Sequence, residues 1–126
     1  MKKEILNLTQ HIVTDEQVKD GVFEPHKEDK EKIKEILTFK NLPSKDDIKN
    51  RANKLRAFVI TYGVDKVMIG GAPYLMSELE RSLKEFNIQP LYSFTQRISI
   101  AKNINGEKVK TSIFKHIGFV EVWIYK

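Results

Sequence analysis

Three histidines are spread along the 126 residues, at His11, His26 and His116, and there is no cysteine. An imidazole titrates near neutral pH, so histidine is the residue type most able to move a proton in either direction. His11 follows an apolar segment through Thr9-Gln10, and His116 follows Lys115 and precedes Gly118. Two histidines with a nearby cation could cut a phosphodiester without a metal. One would deprotonate a ribose 2′-hydroxyl, the other would protonate the leaving 5′ oxygen, and Arg97 or Lys115 would stabilise the charge on the phosphorane. On this reading His11, His116 and Arg97 are the candidate catalytic residues. The plainer reading makes His11 a loop or cap residue and Arg97 a surface ion-pair residue. His26, between Pro25 and a lysine-rich segment, reads as surface.

Gly70-Gly71 is the second feature with chemical content. Paired glycines allow close approach of the backbone, and the free N–H groups of a following helix attract phosphate. A tight turn explains the same pair equally simply. The pattern is not a dinucleotide fingerprint and no P-loop lysine follows, so neither NAD nor ATP, nor any other cofactor, is expected. Scattered histidines without cysteine do not make a zinc site, so no metal is expected either. No nucleophile elbow and no paired carboxylates are visible. Tyr74 begins the helix beside Gly71 and could stack on a base. Tyr92, Phe94, Trp123 and Tyr125 lie in periodic elements and read as core.

Positioning these residues requires a sheet. Glu4 to Gln10 reads as a first strand. Thr14 and Gln17 form a capping box, and the short helix they open stops at Gly21. Phe23-Glu24-Pro25 breaks the chain. Residues 28 to 38 are helical in pattern. A further helix starts at Ser44, carries the stripe Ile48, Ala52, Leu55 and Val59, and closes at Gly63. Val64 to Ile69 is short and almost wholly apolar, as a buried parallel strand is. The clearest helix follows Pro73, with Ala72, Leu75, Met76, Leu79, Leu83 and Phe86 three and four apart. Ile88 to Phe94 is a third strand. Asn105-Gly106 turns a hairpin between Ser99–Ile104 and Glu107–Phe114, and Phe119 to Tyr125 is a last strand. The expectation is one α/β domain over residues 1–126. It is a Rossmann-like three-layer sandwich with a mostly parallel central sheet and an antiparallel C-terminal hairpin at its edge.

In such sheets ligands bind beyond the carboxyl ends of the parallel strands. Those ends carry Asn7, Thr9, Gln10 and His11, then Gly70 and Gly71, then Ser93, Thr95, Gln96 and Arg97. Thr9, Gln10, Gly70, Gly71, Tyr74, Ser93, Gln96 and Lys115 are therefore the candidate ligand-binding residues.

Composition bounds the partners. Hydrophobic residues make up 40% and charged residues 31% of the chain, enough for a core and too few charges for disorder. The net charge of +5 favours polyanionic ligands such as nucleotides or RNA, or else marks a solvated lysine-rich surface. Without cysteine, a signal-peptide h-region or a membrane-length apolar run, a cytoplasmic protein with no membrane contact is expected.

Leu6-Asn7-Leu8-Thr9-Gln10-His11, followed by Thr14, Glu16-Gln17 and Gly21-Val22, resembles the opening of a family of small bacterial and phage proteins. Met68 to Met76, Tyr92-Ser93-Phe94 with Arg97, and Phe114-Lys115-His116 with Gly118 to Glu121 extend the resemblance over almost the whole chain. The layout is also similar to CARF-type domains and to the ring nucleases of type III CRISPR immunity, some of them carried by phages. That similarity implies a homodimer with a two-fold pocket for a cyclic oligonucleotide, metal-independent cleavage of cyclic oligoadenylate, an anti-defence role, and no stable partner of another kind. Three functions stay open: a ring nuclease, a non-catalytic cyclic-nucleotide sensor or sponge, and a general RNA-binding or protein-interaction domain. The last strand would carry Val120, Val122 and Ile124 on one face and Phe119, Trp123 and Tyr125 on the other, so either both faces are covered in the monomer or one meets a partner.

Overall fold

A computed structural model describes residues 4–123, and it is built on a five-stranded sheet. Strand β1 (Ile5–Asn7) is followed by α1 (Asp15–Lys19), β2 (Val22–Phe23), α2 (Lys27–Leu37) and α3 (Lys45–Tyr62). Strand β3 (Lys66–Met68), helix α4 (Pro73–Glu85) and the strands β4 (Gln89–Ile104) and β5 (Glu107–Glu121) complete it. The spatial order is β2-β1-β3-β4-β5, parallel throughout except for the antiparallel β4–β5 pair at one edge. This is the Rossmann-like α/β arrangement that the chain order implies, with β1, β3 and the start of β4 as parallel neighbours.

The helices form where local chemistry supports them. Ser44 Oγ accepts the N–H of Asp47 at 3.1 Å at the start of α3, and Gly63, at φ 67°, ends that helix in the left-handed conformation that glycine adopts without strain. On α4, Leu75, Met76, Leu79 and Leu83 are buried along one stripe. Phe86, expected on that stripe, is instead half exposed and lies under the Arg56 guanidinium, 4.1 Å from its ring centre.

Alternation along the strands divides the interior in two. Leu6, Leu8, Val67 and Ile69 face one way and pack with Ile33, Leu37, Leu55, Val59, Leu75 and Leu79 from α2, α3 and α4. Ile5, Met68 and Leu91 face the other way, with Val22, Val13 and Phe119, in a smaller core. The functional residues gather on this second face.

Three features depart from the sequence reading. Phe23, the first residue of the expected break Phe23-Glu24-Pro25, belongs with Val22 to a short parallel edge strand beside β1. The segments Ile88–Phe94 and Ser99–Ile104 are one continuous strand, as are Glu107–Phe114 and the start of Phe119–Tyr125. No glycine or proline interrupts residues 91 to 104, and Gly118 sits beside a bulge instead of ending the strand. Asn105 and Gly106, at φ 51° and 82°, form the expected two-residue turn. Only Gln89–Leu91 of β4 pair with β3, so from Tyr92 outward β4 and β5 form a two-stranded arm. Of the residues proposed for the last strand, Ile124 and Tyr125 lie outside the described residues.

Candidate functional site

Helix α1 owes its start to a reciprocal cap. Thr14 Oγ1 accepts the N–H of Gln17 at 3.2 Å, and Gln17 Oε1 accepts the N–H of Thr14 at 3.0 Å. A backbone N–H can only donate, so the carbonyl end of the Gln17 amide faces Thr14 and the amide nitrogen faces the other way. It meets Ser93 Oγ on β4 at 3.2 Å. Ser93 Oγ lies 2.6 Å from Nδ1 of His116 on β5, and Nε2 of that ring lies 2.9 Å from Oδ2 of Asp20, the residue that caps the C-terminus of α1.

The carboxylate dictates the direction of these bonds. An ionised Asp20 only accepts, so Nε2 of His116 carries a proton, and in the neutral imidazole Nδ1 is bare. Ser93 therefore accepts from Gln17, donates to Nδ1 of His116, and is polarised toward its alkoxide by a base that Asp20 orients. The ring is almost wholly buried, with 1% of its side chain exposed, and packs against Phe119 at 4.7 Å between ring centres; the Asp20 carboxylate is 45% exposed.

A one-residue bulge makes this possible. Phe119 pairs with Ser93 and Gly118 with Phe94, but His116 pairs with Thr95, which leaves Ile117 as the extra residue. Residues 116 and 119 are three apart and would face opposite ways on a regular strand. The bulge turns both to the same face.

The opposite wall carries His11. Asn7, fully buried at the end of β1, accepts from the N–H of Thr9 at 3.0 Å and from Thr9 Oγ1 at 2.7 Å, and donates to the His11 carbonyl at 2.8 Å and to Glu24 Oε1 at 3.0 Å. Glu24 also accepts the N–H of Val13 at 2.8 Å. Lys30 Nζ donates to the carbonyls of Thr9 and His11 and pairs with Glu24 at 3.1 Å. The loop from Thr9 to Val13 is thus pinned through its backbone, and the His11 side chain is left exposed.

Between the walls lies a cavity of about 410 Å³. His11, Ile12, Thr9, Gly70, Ser93, Thr95, Phe114 and His116 all line it, with Gln17 and Tyr92 deeper in. The structure therefore brings His11 and His116 to one cavity, together with Thr9, Gly70 and Ser93. It does not bring the other candidates there. Gln10 is exposed and donates to Thr38 Oγ1 at 3.3 Å. Gly71 is a packing glycine, since a Cβ there would lie 3.3 Å from Met76 Cε and 3.6 Å from Leu37 Cδ2. Tyr74 stacks edge-on against Phe39, 5.1 Å between ring centres. Gln96 and Lys115 pair with each other next to the Thr95–His116 pair, and alternation points them to the opposite face. Arg97 shares a face with Phe114, 5.9 Å from its ring centre, one step outside the lining.

Asp20, Glu24 and Lys30 escaped the sequence reading. The signal for Glu24 was its place directly after a parallel strand, hidden because two residues are too few to read as one. Among the described residues, no three or more His, Asp and Glu come together as a group that could hold a metal ion, and no helix is long and apolar enough to cross a membrane.

One family model matches the chain, the Uncharacterized protein MJ1673 family, over residues 3–120. No curated protein and no solved structure matches.

Proposed function

Because the chain belongs to the Uncharacterized protein MJ1673 family, whose description carries no activity, we propose a function from the cavity itself: a metal-independent phosphodiesterase that opens small cyclic oligonucleotides. Cyclic oligoadenylate, a messenger of antiviral defence, is the substrate class, and a phage anti-defence role in type III CRISPR immunity is the biological setting. The observation that carries this reading is the Gln17–Ser93–His116–Asp20 chain in a cavity whose other wall presents His11.

The direction of the hydrogen bonds supports a division of roles. His116, bare at Nδ1, stands on the base side, and His11, exposed on the opposite wall, stands on the acid side. The ribose 2′-hydroxyl passes its proton to Ser93 Oγ as Ser93 passes its own to His116. The 2′ oxygen attacks the adjacent phosphorus, and the 5′ oxygen leaves with the proton from His11. The products are a linear oligonucleotide with a 2′,3′-cyclic phosphate at one end and a 5′-hydroxyl at the other. Gly70 carries no side chain, so a phosphate can approach the backbone closely on that side of the cavity. Arg97 is placed for a ligand that reaches past Phe114.

A non-catalytic sensor or sponge is the second reading. The lining favours it, because among the described residues it includes no lysine or arginine to neutralise the charge of a phosphorane.

Incubation of the pure protein with EDTA and a panel of cyclic oligoadenylates and cyclic dinucleotides, followed by liquid chromatography, separates the two. We expect one ring to be linearised, and the rate to fall roughly 10²–10⁴-fold in His11→Ala and in His116→Ala. Rings recovered intact would sink the enzyme reading, and a thermal shift on the same samples would then identify a binder.

A further inference from the structure

The arm formed by β4 and β5 beyond Tyr92 is sorted by polarity. Cross-strand partners in an antiparallel pair share a face, so one face carries Ser93, Thr95 with His116, Arg97 with Phe114, Ser99 with Ser112, and Ala101 with Lys110. The other face carries Phe94, Ile98 with Ile113, Ile100 with Thr111, Lys102 with Val109 and Ile104 with Glu107, and, nearer the body, Gln96 with Lys115. Phe94, Ile113 and Ile104 are 53%, 45% and 51% exposed, so no described element covers this stripe. An amphipathic ribbon of two strands is marginal in water without something packed on its apolar side.

We infer that a second copy of this chain covers the stripe, with the two arms packed face to face and antiparallel about a two-fold axis at the Ile100–Thr111 pair. Charge placement favours this occupant and this direction. Arg97, Lys108 and Lys110 all lie on the opposite face and stay in water. On the apolar face, Lys115 stands at the base of the stripe beside Gln96, and Glu107 stands at its tip beside Ile104, with Lys102 one pair inward on the neighbouring strand. An antiparallel two-fold brings the base of one arm to the tip of the other, so Lys115 meets Glu107 of the second copy twice, once at each end. A parallel arrangement would set like charges together at both ends. The stripe is continuous with Phe94 and Val120 at the edge of the sheet, both half exposed, which extends the apolar contact toward the body. The polar face of each arm, with Ser93 and His116, is turned away from the contact and its cavity stays open.

Light scattering coupled to size exclusion, on the full chain at micromolar concentration, tests the inference. The wild-type chain is expected at twice its monomer mass, and Ile98→Asp with Ile113→Asp at the monomer mass, with circular dichroism confirming that the variant folds. Independently of that variant, Lys115→Glu is expected to weaken the dimer at least tenfold, and Lys115→Glu with Glu107→Lys to restore it. A monomeric wild type, a dimer that survives both aspartates in folded protein, or no rescue by the charge exchange would each overturn the proposal. So would a monomer that associates instead with linear RNA or with lipid vesicles.

Discussion

At the scale of single residues, the arrangement turns on Asp20. Its carboxylate sits 2.9 Å from Nε2 of His116 and holds the proton there, which leaves the other nitrogen bare for Ser93. Asparagine at this position can offer an N–H in place of an acceptor. The imidazole then switches tautomer and Nδ1 becomes a donor that cannot take the Ser93 proton. Asp20→Asn is therefore expected to lower kcat for ring opening roughly 10²-fold or more, with KM changed less than threefold. The half-exposed carboxylate makes this a positioning contact and not a buried ion pair, so the melting temperature is expected to stay within a few degrees. Steady-state kinetics on the linearised ring checks the first point. An unchanged kcat in Asp20→Asn would remove the base role from His116.

At the scale of elements, α1 and the start of β4 place the chemistry. Helix α1 has only five residues and delivers Gln17 from its first turn and Asp20 from its end to opposite sides of the same relay. Strand β4 is anchored to α4 by Tyr92, whose hydroxyl donates to Glu80 Oε2 at 2.6 Å. Burial, then the hydrogen bond to Glu80, then the negative charge of Glu80 push the Tyr92 pKa up from its ordinary value of 10.0. A pKa raised on folding contributes stability that is fully present below pH 10 and is lost as the pH climbs through the folded-state value. The expected consequence is that the wild-type chain loses stability above pH 10 more steeply than Tyr92→Phe. At neutral pH the variant is about 1–2 kcal/mol less stable through the lost hydrogen bond. Urea denaturation at pH 7 and pH 10.5 measures both. Parallel slopes for the two proteins would show that Tyr92 does not carry this pH dependence.

At the scale of the whole molecule, the sheet order puts the ends of β1 and β3 beside residues 92–95 of β4, and the cavity follows from that adjacency. The arm is the part of the sheet that the body leaves uncovered. If a second copy covers it, association adds to the stability of the fold by mass action. The melting temperature is then expected to rise with protein concentration for the wild type and to stay flat for the Ile98→Asp, Ile113→Asp pair. A concentration-independent midpoint in the wild type would speak against coupling between the arm contact and folding.

What the sequence by itself determined is what depends on near neighbours in the chain. The stripe Leu75, Met76, Leu79 and Leu83, the Thr14–Gln17 capping box and the Asn105-Gly106 turn are legible because the partners lie within a few residues. The parallel core also followed, since short apolar strands separated by helices leave few right-handed solutions. The same rule located Thr9, His11 and Gly70 beyond the ends of β1 and β3, whereas Ser93 lies inside the continuous β4, just past the residues that pair with β3. Only the tertiary structure decided that Asp20 meets His116, 96 positions away, and that His116 and Phe119 share a face. The reason is the bulge at Ile117. A single extra residue reverses the alternation on which any strand reading rests, and its presence depends on how β5 pairs with β4 and not on β5 alone.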